Sequence, residues 1–167
     1  MTLRTAKILL VFGVAFFYTF VVFSNVTDFG PGSNFPFVRH VLMMDTLFSG
    51  GRHAWRAVNR PALQILFYIA IVGWETLTMI LCWLGAVQLT RAVRAPASEF
   101  HRAKRVAIAG LTLSLLMWLV AFLTVAGEWF LMWQSSNWNG QQAAFRMFTV
   151  VGIVLLFLVQ KDTDDQP

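Results

Sequence analysis

Glu75, in "GWETLTM", is the only formally charged residue between Arg60 and Arg91. An acid in so apolar a run sits near the middle of a membrane span, at a cost of about 2.5–3.5 kcal/mol on insertion scales, and must face protein or trapped water. Three roles fit it. It can relay a proton or bind a cation, it can meet a polar group of another subunit, or it can be a protonated carboxyl hydrogen-bonded inside the bundle. In the last case the candidate partners are Thr76, Thr78 or Gln64 on its own helix and Thr112, Ser114 or Thr124 on the next. No other acid or base lies at that depth, which argues against a multi-step relay.

A second group of candidates lies in "AGEWFLMWQSSNWNGQQAAFR". Glu128 and Arg146 flank this connector at one height, so an ion pair across it, strengthened by a partly dry setting, is expected, with two independently snorkelling side chains as the alternative. Trp129, Trp133 and Trp138, joined by Trp55 from elsewhere in the chain, have the amphipathic rings of an aromatic belt at headgroup level. Asn137, Asn139 and Gln141 offer donors and acceptors suited to shaping a tight turn or binding a neutral polar partner. In "SNFPFVRHVLMMDTLF", Arg39, His40 and Asp45 are further contact candidates.

Other chemistries find no support. His40, His53 and His101 fall outside the apolar runs, so facing histidines inside the spans cannot hold haem. The separation of His40 and His53 lacks a compact metal-ligand signature. Cys82 is alone, which removes a cysteine-pair shuttle and reads as packing. There is no phosphate-binding loop, dinucleotide fingerprint, serine triad or H-E-x-x-H. No cofactor, no metal and no stand-alone enzymatic activity are expected.

The elements that position these residues follow from composition. Of the 167 residues 57% are hydrophobic and 13% charged, with a mean hydropathy of +0.64. Four apolar runs predict spans at about 8–24, 62–90, 106–130 and 143–160, the middle two easily reaching the ~20 residues that cross a bilayer. Backbone groups in lipid must be satisfied within the segment, so runs without strand alternation are helices. The expectation is an all-α polytopic protein, with residues 1–167 forming a single four-helix membrane domain. Arg4 and Lys7 before the first run resemble a signal peptide, but "SNVTDFG" is no cleavage pattern, and the segment reads as an uncleaved anchor.

The loops divide unevenly in charge. With the N-terminus cytoplasmic, Arg4, Lys7, Arg91, Arg94, Arg102, Lys104, Arg105 and Lys161 lie inside, against Arg39, Arg52, Arg56, Arg60 and Arg146 outside. The positive-inside rule then places both termini of this multi-pass chain in the cytoplasm. The pI near 10.2 reads as topology and contact with anionic lipid rather than nucleic acid.

In the first outer segment Gly30, Pro31 and Gly32 interrupt the helix. Ser33 or Asn34 can cap a short amphipathic helix carrying Pro36 in its first turn, with Phe35, Val38, Leu42 and Met43 at helical spacing, lying in the outer interface or folded as a cap over the bundle mouth. Gly50 and Gly51 end it, "RHAWRAVNRP" makes a second short helical approach, and Pro61 opens the next span. In the basic connector Pro96 breaks the chain and Ser98 is the expected cap of the third helix. Gly110 and Ser114, four apart, suit a close helix contact. The polar tail "QKDTDDQP" reads as frayed.

"SNVTDFG", "SNFPFVRHVLMMDTLF", the "WRAV" before the second span, "GWE" within it and "GEWFLMWQSSNWNGQQAAFR" together resemble the bacterial DUF2165 family of predicted small integral membrane proteins, over nearly the whole chain. The resemblance implies a membrane-embedded helical protein and transfers no catalytic residue. Its phrases fall mostly on the outer side, together with Glu75, which suggests that the outer segments pack into a cap and present a recognition surface. The function expected is a non-enzymatic component that binds a membrane-protein partner, or a second copy of itself, in the lipid bilayer. A small transporter or lipid-binding bundle built on Glu75 is the alternative, and a redox-associated subunit walled by Trp74, Trp118 and Glu75 is a third reading.

Overall fold

The computed structural model describes residues 3–27, 33–48 and 51–164. Its elements are α1 (Leu3–Thr27), α2 (Asn34–Met43), α3 (Pro61–Arg91), α4 (Ala97–Trp129) and α5 (Gln141–Val159), with 3₁₀ turns at Ala54–Arg56 and Met132–Gln134. All but α2 are long and apolar enough to cross a membrane. They exceed the expected spans because the polar turns around each apolar run, such as "LRTAK" and "ASEFHRAKR", continue the helix.

Hydropathy does not say which face of such helices meets protein; the buried residues do. They recur every three or four positions along α1 (Lys7, Val11, Val14, Tyr18, Asn25), α3 (Gln64, Tyr68, Glu75, Thr78, Cys82, Gly85, Leu89) and α4 (Phe100, Lys104, Ala107, Leu111, Ser114). This is the 3.5-residue seam of a coiled-coil-like bundle. Tyr18, Asn25, Gln64, Glu75, Thr78 and Ser114 lie on it. In the core, Tyr18 and Ser114 hydroxyls are hydrogen-bonded at 2.7 Å, and the Trp118 indole donates to Tyr18 at 3.1 Å.

Close approach occurs where the seam is small. A Cβ at Gly85 would lie 2.5 Å from the Ala107 backbone, and one at Gly110 would lie 2.9 Å from Cys82 Sγ. The expected contact at Gly110 is therefore between α3 and α4, with Cys82 as packing. Ser114, one turn on, meets α1 instead.

Along α4 the winding changes. Ala97–Leu116 is α-helical and Met117–Trp129 is a π-helix, in which the Thr124 hydroxyl donates to the carbonyl five residues back. Next to the switch the Leu113 carbonyl accepts from the Trp74 indole at 3.1 Å. The chain then turns at Leu131, in the left-handed region at φ 53°.

Three local expectations are corrected. Helix α2 ends at Met43 rather than at the Gly50–Gly51 pair, because Met44 adopts φ 53° and its N–H bonds back to the His40 and Val41 carbonyls; Gly50, like Gly30, Pro31 and Gly32, lies outside the described residues. Ser98 does not cap α4: the Ala97 amide donates to Asp164 Oδ1 at 2.6 Å. Residues 160–164 are tied down rather than frayed, as the site geometry explains.

Candidate functional site

The bundle has a cap end, where α2 and the connectors 51–60 and 130–140 meet, and an end bearing the start of α1 and the tail after α5. At the cap end Glu75 is 4% exposed. Asn25 Nδ2 donates to its Oε2 at 2.6 Å, Asn34 Nδ2 donates to Asn25 Oδ1 at 2.6 Å, and the Tyr68 hydroxyl donates to the Asn25 carbonyl at 2.9 Å. A chain of neutral amides thus joins α1, α2 and α3 through one carboxyl.

None of the partners expected from sequence holds it. Thr76 and Thr78 donate to carbonyls one turn back, Gln64 donates to Val58 O, Ser114 binds Tyr18, and Thr124 donates to Leu119 O. Asn25 is in the last turn of α1, roughly 27 Å from Lys7 at 1.5 Å per residue. Glu75 is at the middle of α3 but beside the end of α1, because α3 rises past its neighbour and α2 covers the excess.

The two connectors do pack together. Val41, Leu42, Met44, Phe130 and Met132 form a second core. The His40 ring stacks on Trp138, 4.6 Å between centroids and 9° between planes, while its Nδ1 is hydrogen-bonded to Asp45 Oδ2 at 2.7 Å. Thr46 and Ser135 hydroxyls bond at 2.7 Å, and the Trp138 amide donates to Ser135 Oγ at 2.9 Å. Trp138 is thereby turned into the cap and away from an aromatic belt. Phe48 lies edge-on to Trp133 and Trp55 edge-on to Trp129, leaving these four rings exposed.

Glu128 and Arg146 form no ion pair among the described residues, and both are exposed. Arg56 supplies the link instead. Its guanidinium lies 4.7 Å from the Trp129 ring and 5.4 Å from the Trp55 ring, and Nη1 donates to the Trp129 carbonyl at 3.2 Å. Arg39 is exposed and has no such contact. The amides left unexplained by solubility alone serve the turn: Asn139 Oδ1 accepts from the Gln141 amide at 3.1 Å, capping α5. Gly140 leaves room for Phe37, whose ring would lie 2.9 Å from a Cβ there.

The opposite end holds a cluster that the candidate residues did not include. Lys7 Nζ donates to both Asp162 oxygens at 3.0 Å and to the Gln160 carbonyl at 2.7 Å. Lys104 Nζ donates to the same carbonyl at 2.7 Å and pairs with the same carboxylate. Burial pushes the Asp162 carboxyl up, but the Lys104 and Lys7 ammonium groups outweigh it and hold it below the usual carboxylate range. The Asp162 amide donates to His101 Nε2, and Arg4 donates to the Val93 and Ala95 carbonyls.

A family profile described as "Predicted small integral membrane protein (DUF2165)" matches residues 3–161. The chain belongs to this family. The DUF2165 match takes in all four spans, the cap and Lys7, and ends one residue short of Asp162. This DUF2165 protein is therefore an integral membrane protein with several spans. No curated protein and no solved structure matches the chain.

Proposed function

We propose that this protein is a non-enzymatic, partner-binding component of a bacterial inner-membrane complex, with both termini cytoplasmic and the cap on the far side. The interlocked cap carries this reading: two connectors, held by stacking, cation–π and neutral hydrogen bonds, present Trp55 at 71% and Phe48 at 65% exposure on a preformed surface. Large rings held in place give contact area at little ordering cost, as binding hot spots require. The orientation rests on the charge count, with eight of the thirteen bases (Arg4, Lys7, Arg91, Arg94, Arg102, Lys104, Arg105, Lys161) at the end bearing the termini. The partner is a membrane protein or a second copy of the chain. Gentle detergent extraction of the tagged protein, followed by mass spectrometry, should recover a stoichiometric membrane protein or a homo-oligomer, lost in the Trp55→Ala/Phe48→Ala variant. A monodisperse monomer free of protein would count against it.

One observation favours a second reading, a bundle that binds lipid or a small molecule. A cavity of about 250 Å³ opens between α2, α3 and the π-wound part of α4, walled by Phe37, Val41, Phe67, Trp74 and Phe122 among others. Glu75 is not part of that wall. Transport through Glu75 predicts that Glu75→Gln abolishes proton-coupled uptake; unchanged uptake removes that version and leaves the cavity.

A further inference from the structure

A second cavity, of about 600 Å³, lies at the end bearing the termini, bounded by the start of α1, the α3–α4 connector and the tail. Its walls include Arg4, Arg94 and Lys161 as cations and Asp162 and Asp164 as anions. The two carboxylates differ. Asp162 is matched by Lys7 and Lys104, which leaves Asp164, among the described residues of the wall, as the acid facing the three cations. Arg94 and Lys161 are exposed and have no ion pair or hydrogen bond among the described residues.

Asp164 marks where an anion is held. Its Oδ1 accepts from the first amide of α4 at 2.6 Å and lies 3.6 Å from Arg4 Nη2, yet its side chain is 66% exposed. A phosphate oxygen satisfies the same donors, with Arg94 and Lys161 available for the rest of the group. Below the cavity the surface becomes apolar. Leu3 lines it, and Leu10, two turns along the same face of α1, is 41% exposed. A charged pocket set above exposed hydrocarbon suits a phosphate that carries acyl chains.

We infer that this cavity binds the phosphate of an anionic phospholipid, in competition with the Asp164 carboxylate. The full chain is reconstituted in nanodiscs of equal parts phosphatidylglycerol and phosphatidylcholine, then released for native mass spectrometry and lipid counting. Phosphatidylglycerol is retained over phosphatidylcholine by the wild type. With each basic residue near the surface worth about a fivefold change, Arg94→Gln/Lys161→Gln retains roughly twenty-fivefold less. Asp164→Asn retains more than the wild type. Both altered bases are exposed and unpartnered, so melting in phosphatidylcholine alone should match the wild type and separate a lost site from a lost fold. Equal phosphatidylglycerol retention in the wild type and the double variant overturns the inference. So does displacement of the lipid by inorganic phosphate at equal concentration, which would assign the pocket to free phosphate.

Discussion

The two ends of this bundle solve the same problem, holding extramembrane chain against helix ends, by opposite physics. At the cap end the contacts are largely uncharged: amides linked to Glu75, an imidazole stacked on Trp138, and Arg56 placed between indole rings rather than against a carboxylate. At the other end one buried carboxylate holds two ammonium groups. Buried ion pairs lose heavily when one partner is removed, whereas a network of stacking and neutral hydrogen bonds loses in small steps. The cap should therefore tolerate substitution and salt, and the clamp should fail at a single residue.

The largest effect is expected at Asp162. Asp162→Ala strands the Lys7 and Lys104 ammonium groups and should lower stability by about 3–5 kcal/mol, read by equilibrium unfolding in detergent. An unchanged midpoint would leave the ends energetically alike. Acid should reproduce part of this loss. Because the carboxyl is held below its ordinary value in the fold, the unfolded chain binds the proton more readily. The stabilisation is complete above the unfolded value, about pH 3.9, and disappears as pH falls through the lower folded value. Circular dichroism of wild type and Asp162→Asn during acid titration should show this dependence only in the wild type.

Arg56→Gln sharpens the comparison from the cap side. It removes two ring contacts and one hydrogen bond, so a loss of about 1–2 kcal/mol is expected, visible in tryptophan fluorescence and little changed by salt. A strong salt dependence would mean that the cap is ionic after all. The smallest effect belongs to Arg146→Gln, expected within ~0.5 kcal/mol of the wild type in the same melt, since Arg146 is exposed and unpaired with Glu128.

The helices, the cap and the burial of Glu75 were legible in the sequence because each rests on local chemistry: long apolar runs, proline and helical spacing, and one costly acid. The partners were not. Asn25 and Lys7 lie eighteen residues, or five turns, apart on one face of α1, in register with Val11, Val14 and Tyr18. Following that seam would have marked both as bundle-facing, as it would have marked Lys104 beside Ala107 and Leu111. Counting bases by loop instead treated Lys7 and Lys104 as solvated charge. The Glu128–Arg146 pair failed for a related reason: similar height does not fix direction around a helix. The π winding of Met117–Trp129 has no residue pattern that distinguishes it from other apolar helix.

The Asp162 clamp also sets an order of assembly. Lys7 in α1 is synthesised before Lys104 in α4, and their common carboxylate follows Lys7 by 155 residues. Throughout synthesis the two lysines must wait, hydrated at the membrane surface, until the segment after α5 arrives to draw them in. A chain interrupted before residue 162 would lack the carboxylate that ties the segment after α5 to α1 and α4. The order of translation is thus built into the fastening, and a copy lacking Asp162 differs from one that has it by leaving the two lysine charges at that end unmatched.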